Sequence, residues 1–373
     1  MASTAPKITL RAGGRLVSGW TRAEITRSIE GIAGGFTVEL TDYDPSLGIR
    51  RLIHPGDACD LMVDGETVIS GWVDKNNISY DGTTHKISFA GRDATGDLVD
   101  CAAFHDTDWG GWPGFVTGEQ IIGDLVKPFG IRLSSDVDVG KAFDFQIQAG
   151  ETVFETIERL TRSLGVLPVS DGKGGLLLTQ GGTGPKFQSI LRGRDIVKMS
   201  GGVDHSNRFQ EYIVHGQDGE GYIDPGNTAV PQGLATDSGI TRYRPLVIIA
   251  EYPGDASTDT FTRRAQWEAT VRAGRASRFT ITLQGWRDSA GLLWAPNGLV
   301  SVTDSFIEVA DTLLIASVKL ALDDGGSRAE LTVTRPDAFK LTPLGPTFDF
   351  ELPVYRKGEP LLLPNASTGG SAP

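Results

Sequence analysis

Val68-Ile-Ser-Gly-Trp-Val73, Ile78-Ser-Tyr-Asp-Gly82, Lys86-Ile-Ser-Phe89 and Gly91-Arg-Asp-Ala94 follow one another closely in the chain. An apolar run, an Asp-Gly turn and a returning run that alternates apolar with polar residues make an antiparallel hairpin pattern. One face of such a hairpin can be buried while the other meets water. A His54-Pro-Gly-Asp57 turn leads into it. A second passage has the same grammar: Ala295-Pro-Asn-Gly298, then Leu313-Leu-Ile-Ala-Ser-Val318, Leu320-Ala-Leu-Asp-Asp-Gly325, Ala329-Glu-Leu-Thr-Val333 and Arg335-Pro-Asp-Ala338. In both passages an arginine with an acidic neighbour follows the hairpin glycine by about ten residues. The repetition implies two similar strand-built units in one chain.

Around the first passage, Ile8-Thr-Leu10, Leu16-Val17, Phe36-Thr-Val-Glu-Leu40 and Cys59-Asp-Leu-Met-Val63 also read as short strands. About six strands at this spacing suggest a small barrel. The pattern changes near residue 95. Thr117 with Gln120 makes a capping pattern before Ile121, Ile122, Leu125 and Val126. Thr152 with Glu155 opens a second helix carrying Val153, Ile157, Leu160 and Leu164, stopped by Gly165. Val166-Leu-Pro-Val169 and Leu176-Leu-Leu-Thr179 form a hairpin after it. Strands return from about residue 189, with one polar helix near 261–274. From Lys340 onward the chain holds six of its nineteen prolines and has little periodicity. Proline removes backbone donors, so this tail builds no ordinary core element. The expected fold is mainly β with an α+β insertion. Residues 1–94 and 186–339 are two small β-barrel domains, the second with one helix. Residues 95–185 form an α+β middle domain, and 340–373 an extended tail.

Composition narrows the function. Lys plus Arg is 35 and Asp plus Glu is 47, a formal charge of −12 with no offsetting basic run, which disfavours nucleic-acid binding as the main task. The 48 glycines are scattered without a period, as many tight turns require. The two cysteines, Cys59 and Cys101, are too few for a disulfide framework and read as small packed apolar residues. The first residues lack the apolar core of a secretion signal, and no apolar run approaches the ~18 residues of a membrane span. A soluble chain made in a cytoplasm is expected.

A search for chemistry assigns no catalytic, cofactor-binding or metal-ligating residue. His54, His85, His105, His205 and His215 have no zinc-type spacing, and there is no Cys-x-x-Cys. His105 with Asp106 and Asp108 is the nearest thing to a cluster, inside a loop shaped by Trp109 and Trp112. No Gly-x-Ser-x-Gly elbow occurs. The glycine-rich stretches at 172–175 and 216–221 fit turns, not phosphate cradles. Asp136 and Asp138 lack the remaining ligands of a calcium loop.

Trp267-Glu268, Arg272, Gly274-Arg275, Ser277, Gly285-Trp286, Gly291-Leu-Leu-Trp294 and Pro296-Asn-Gly-Leu-Val300 resemble the baseplate hub family of Mu-like phages, the tail protein P family. Gly91-Arg-Asp93 with Asp97-Leu-Val-Asp-Cys101 is similar to that family's pattern at the end of its first barrel. Gly150-Glu-Thr-Val-Phe154, Asp171-Gly172 and Gly175-Leu-Leu-Leu178 agree as well. The resemblance covers residues 8–337. It implies a structural, non-enzymatic homotrimer in the baseplate of a contractile tail, made and assembled in the host cytoplasm. Two barrels per chain would form a pseudo-sixfold ring joining the sixfold tail tube to a threefold central spike. The hub part of type VI secretion spike proteins is related. Implied partners are further copies of the chain, the spike, the tube and other baseplate proteins. DNA would pass through the lumen without stable binding, and the chain would insert in no membrane.

Within that expectation, Trp286 and Trp294 are core residues, and Arg92 and Arg335 pair locally. Phe348, Phe350, Leu361, Leu362 and Leu363 of the tail are candidate partner contacts through strand addition. The rival reading is a tail protein that binds or cleaves peptidoglycan, with residues 152–179 as the glycan reader.

Overall fold

The computed structural model describes residues 6–41, 53–83, 85–104, 110–112, 116–139, 145–217, 232–253 and 258–340. The chain is mainly β, with few helices. Its first region holds β1 (Ile8–Ala12), β2 (Arg15–Ser18), β3 (Arg22–Ser28), β4 (Gly35–Thr41), β5 (Ala58–Val63), β6 (Glu66–Tyr80) and β7 (His85–Asp93). In β7, Ile87, Phe89, Gly91 and Asp93 are buried and the residues between them are not, as period-two alternation requires.

The middle region holds α1 (Gly96–Asp100), β8 (Gly111–Trp112), α2 (Gly118–Val126), β9 (Arg132–Ser135), β10 (Phe145–Gln146), α3 (Val153–Leu164), β11 (Leu167–Ser170) and β12 (Gly175–Thr179). The capping box read at α3 is present in full. Thr152 Oγ1 accepts from the Glu155 amide, a Glu155 carboxylate oxygen accepts from the Thr152 amide, and Gly165 ends the helix at φ 70°. Thr152→Ala removes one of these partners and is expected to lower the protection of the α3 amides in hydrogen exchange by about 1 kcal/mol. A change under a few tenths would mean that α3 does not depend on its cap. Leu160, Ile157 and Val153 of α3 pack with Ile121, Ile122 and Leu125 of α2 in a core of their own.

The last region holds β13 (Ile190–Leu191), β14 (Ile196–Val203), β15 (Glu211–Gln217), β16 (Gln232–Thr236), β17 (Pro245–Pro253), α4 (Thr258–Arg275), β18 (Ser277–Gln284), β19 (Leu299–Asp304), β20 (Val309–Asp323) and β21 (Gly326–Thr334). Strands β16-β15-β17 make a separate small sheet. Its Tyr212 and Val214 pack on Phe261 and Ala265 of α4, a core that the linear pattern did not announce.

Thirteen strands form one sheet. Its path runs β14-β18-β21-β20-β3-β4-β7-β6-β5-β1-β2, with β19 beside β20 and β13 beside β19. Two six-strand runs lie within it in the same order: β3-β4-β7-β6-β5-β1 and β14-β18-β21-β20-β19-β13. The likeness extends to length. β6 and β20 have 15 residues each, β7 and β21 nine each. Both long strands carry a bulge at the same place, between Val73 and Lys75 and between Ile315 and Ser317. That bulge makes Val73 the counterpart of Ile315 and Gly91 that of Val333. Phe36 lies opposite Gly91 and Phe279 opposite Val333, so these buried rings are counterparts too. The runs differ at one end, where β1 is antiparallel to β5 but β13 is parallel to β19.

Three readings need correction. The 68–73 and 78–82 stretches are one strand as far as Tyr80, and β3 was not anticipated at all. Cys59 is buried as expected, with its thiol pushed up to about 12 by burial, but Cys101 is exposed, at the extended C-cap where α1 ends.

Candidate functional site

The two six-strand runs are joined by β3 and β20, which pair antiparallel from Ser28 opposite Ser317 to Ala23 opposite Leu322. Ile25, Val318 and Leu320 are buried along this seam and belong to the main core. Ion pairs brace its surface. Lys319 lies 2.8 Å from Glu24. Arg278 donates from both terminal nitrogens to the two Glu30 oxygens, at 2.6 and 2.7 Å. The hydrogen bonds from Arg278 hold the Glu30 carboxyl below the usual carboxylate range. Arg287 reaches Asp64 at 3.3 Å and Glu66 at 3.6 Å. Such half-exposed pairs add register more than energy.

A second junction ties the first run to the middle region. Asp93, at 1% exposure, ends β7. One of its carboxylate oxygens accepts from the Gly34 amide and from Ser170 Oγ of β11, both at 2.9 Å. The other oxygen has no hydrogen-bond partner among the described residues. Burial raises the Asp93 pKa, opposed by the charge of Arg27 and by these hydrogen bonds. Arg92 next to it pairs outward with Asp74 and Asp100, and Arg335 pairs with Asp311. Both arginines are therefore bound within the chain.

Several apolar side chains stand in the open. Ile78 and Tyr80 on the distal half of β6 are 49% and 80% exposed, and Val197 and Val203 on β14 are each 61% exposed. Both segments are pleated backbone with a neighbour on one side only among the described residues: β7 for the distal half of β6, β18 for β14. Edges of this kind are where another chain can add. A shallow cleft of about 400 Å³ is lined by Pro6, Asp64, Ser189, Arg194, Trp286 and Asp288, among others. Its acids and bases are engaged in turn-forming and ion-pair contacts.

Trp286 and Trp294 are core residues, 3% and 4% exposed. Among the described residues no group of three or more His, Cys, Asp or Glu could hold a metal ion, and no helix is long and apolar enough to cross a membrane. Phe348, Phe350, Leu361, Leu362 and Leu363 lie outside the described residues, as does the His105 cluster. The exposed edges were missed by sequence reading. For β3, which is no edge but was missed as well, the signal was present in Arg22-Ala-Glu-Ile-Thr26, whose Ala23 and Ile25 alternate with polar residues; for the β14 edge it is weaker, in Val197-Lys-Met-Ser200.

Comparison with known proteins gives a consistent result. Residues 7–93 match the model of the N-terminal domain of Mu phage baseplate assembly protein GpP-like proteins. Residues 95–180 match the second domain of baseplate hub protein gp44-like proteins, and 257–342 the fourth domain of Mu phage baseplate assembly protein GpP. Baseplate hub protein gp44 of Escherichia phage Mu is 35% identical over 328 residues, 85% of this chain and 84% of that one. The 43 kDa tail protein of prophage MuSo2 from Shewanella oneidensis superposes with a TM-score of 0.78 at 35% identity, over 90% of this chain and all of that one. The E. coli c3393 protein, a type VI secretion component, shares the fold. It has a TM-score of 0.53 at 10% identity over 90% of this chain and 80% of that one.

Proposed function

The chain belongs to the baseplate hub family of Mu-like phages and is a structural protein of the virion tail, and from that premise we propose that it works as a homotrimeric ring. The observation that carries this reading is the repeated strand order: one chain presents two like units, so three chains present six. A head-to-tail contact that closes gives a ring. Such a ring matches the sixfold tube of a contractile tail on one side and a threefold spike on the other. Further baseplate proteins would dock around it. The net charge of −12 suits a lumen that DNA crosses without sticking. Residues 1–94 and 186–339 supply the two ring units, with 95–185 as the α+β middle domain. Phe348, Phe350 and Leu361 to Leu363 of the 340–373 tail are the candidate contacts with a neighbour through strand addition.

The protein performs no catalysis in this reading, and a peptidoglycan turnover assay should stay at background. Light scattering on the full chain should give three copies, about 120 kDa from 3 × 39.9 kDa. A monomer or a twofold particle overturns the ring, and clear glycan turnover overturns the structural assignment.

A further inference from the structure

The seam between β3 and β20 has a partner-less double elsewhere in the chain. The shared strand order makes β14 the counterpart of β3, and the common bulge makes the distal half of β6 the counterpart of the β3-bound half of β20. Inside the chain β3 is joined to β20. Among the described residues β14 and the distal half of β6 carry no strand on their outer edges. The two lie seven steps apart along the sheet path, so each strand run offers one such edge.

We propose that β14 of one copy adds to residues 75–80 of β6 in the next copy, antiparallel, repeating the seam that already joins the two runs within a chain. This rests on the ring reading and gives it a register. Strand counterparts follow from the ladders. Ile25 pairs with Phe36 and Gly201 with Phe279, so Gly201 stands where Ile25 does. Ser317 to Leu322 correspond to Lys75 to Tyr80. The intrachain pairs Ser28–Ser317, Ile25–Leu320 and Ala23–Leu322 then become Asp204–Lys75, Gly201–Ile78 and Met199–Tyr80 between copies.

The side chains suit that register. Lys75 and Asp204 bring opposite charges together, and Tyr80 meets the flexible Met199 thioether. Ile78 lies over Gly201, which offers no side chain to obstruct it. The apolar groups left exposed in one copy, Ile78, Tyr80 and Val203, are those the seam would cover. In strand addition main-chain hydrogen bonds give the affinity and the alternate side chains give the specificity.

The hydrogen-bond phase is also determined. The Ile29 amide donates to the Ala316 carbonyl at 2.9 Å, so that pair is hydrogen-bonded and, by alternation, Glu24–Ala321 is not. Ser200–Ser79 is the equivalent pair between copies. Its Cα atoms would stand about 4.5 Å apart, inside the range a disulfide spans. Ser79→Cys with Ser200→Cys, in a Cys101→Ser background and under mild oxidation, should yield a reducible ladder of joined chains ending at three. Ser79→Cys with Met199→Cys, one residue out of step and on the opposite face, should crosslink at least tenfold less. Mass under reducing conditions reports whether each variant still assembles. A trimer by mass without the Ser79–Ser200 crosslink overturns the seam and leaves the ring standing. Equal crosslinking in the shifted pair also overturns the seam, and a monomer throughout overturns both.

Discussion

Trp286→Ala should lower the stability of the second strand run by about 4 kcal/mol. Large-to-small changes of a buried tryptophan remove its transfer free energy and leave a cavity that its neighbours fill only in part. Trp286 is 3% exposed within the main core, and its indole nitrogen donates to the Ala321 carbonyl at 3.0 Å. The same residue follows Gly285, which takes φ 83° so that its amide can bond Ser327 on β21. One side chain therefore fills the core and fixes β20 against the turn after β18. Ala321 lies opposite Glu24 in the β3–β20 seam, so the loss should loosen the joint between the two runs as well. Hydrogen exchange is the suitable readout, because a chain with several cores does not unfold in one step. Amides of β20 and β3 should lose protection while those of α3 keep theirs. Trp286→Phe, which keeps most of the volume, should cost less than half as much. A loss below about 1 kcal/mol for the alanine variant would show that the indole is not a core element.

The hairpin β20–β21 was legible because Ser317–Leu320 and Gly326–Leu331, on the two sides of the turn, obey period two and close on Asp-Asp-Gly-Gly, where turn chemistry is explicit. The α3 helix was legible for a similar reason: both its ends carry their own capping residues. Local physics determined both, so local sequence disclosed them. The seam was not legible. Arg22 to Ser28 is a modest strand whose partner, β20, lies almost three hundred residues away, and no local rule pairs such segments. Nor could period alone show that β6 runs unbroken past Asp74, since the bulge there shifts which side chains face inward. The exposed edges were hidden because a strand with a neighbour on one side only carries little buried stripe: β14 has no buried residue, and β6 has none beyond Val73. Ile78 and Tyr80 look like surface accidents until their counterparts Leu320 and Leu322 are seen in the seam.

Asp93→Ala should cost about 2–4 kcal/mol near neutral pH, since it strands two donors in the interior, the Gly34 amide and the Ser170 hydroxyl. The effect reaches beyond β7. The Asp93 amide also donates to Gly34, and Ala94 donates to Ser70, so this strand end fastens β4, β6 and β11 together. Asp93→Asn separates charge from hydrogen bonding. Burial raises the Asp93 pKa above its ordinary 3.8, so the folded state holds this proton more tightly than the unfolded one. The resulting contribution is complete below pH 3.8 and is lost as pH rises through the folded value. Asparagine keeps an acceptor for Gly34 and Ser170 but has no charge to bury, so it escapes that loss. Relative to the native protein, Asp93→Asn should therefore gain stability between pH 3 and 7. Hydrogen-exchange protection of the β4, β7 and β11 amides, corrected for the pH dependence of intrinsic exchange, gives the answer across that range. A difference that stays flat with pH, or that falls, would mean that the Arg27 charge and the hydrogen bonds outweigh burial at this junction.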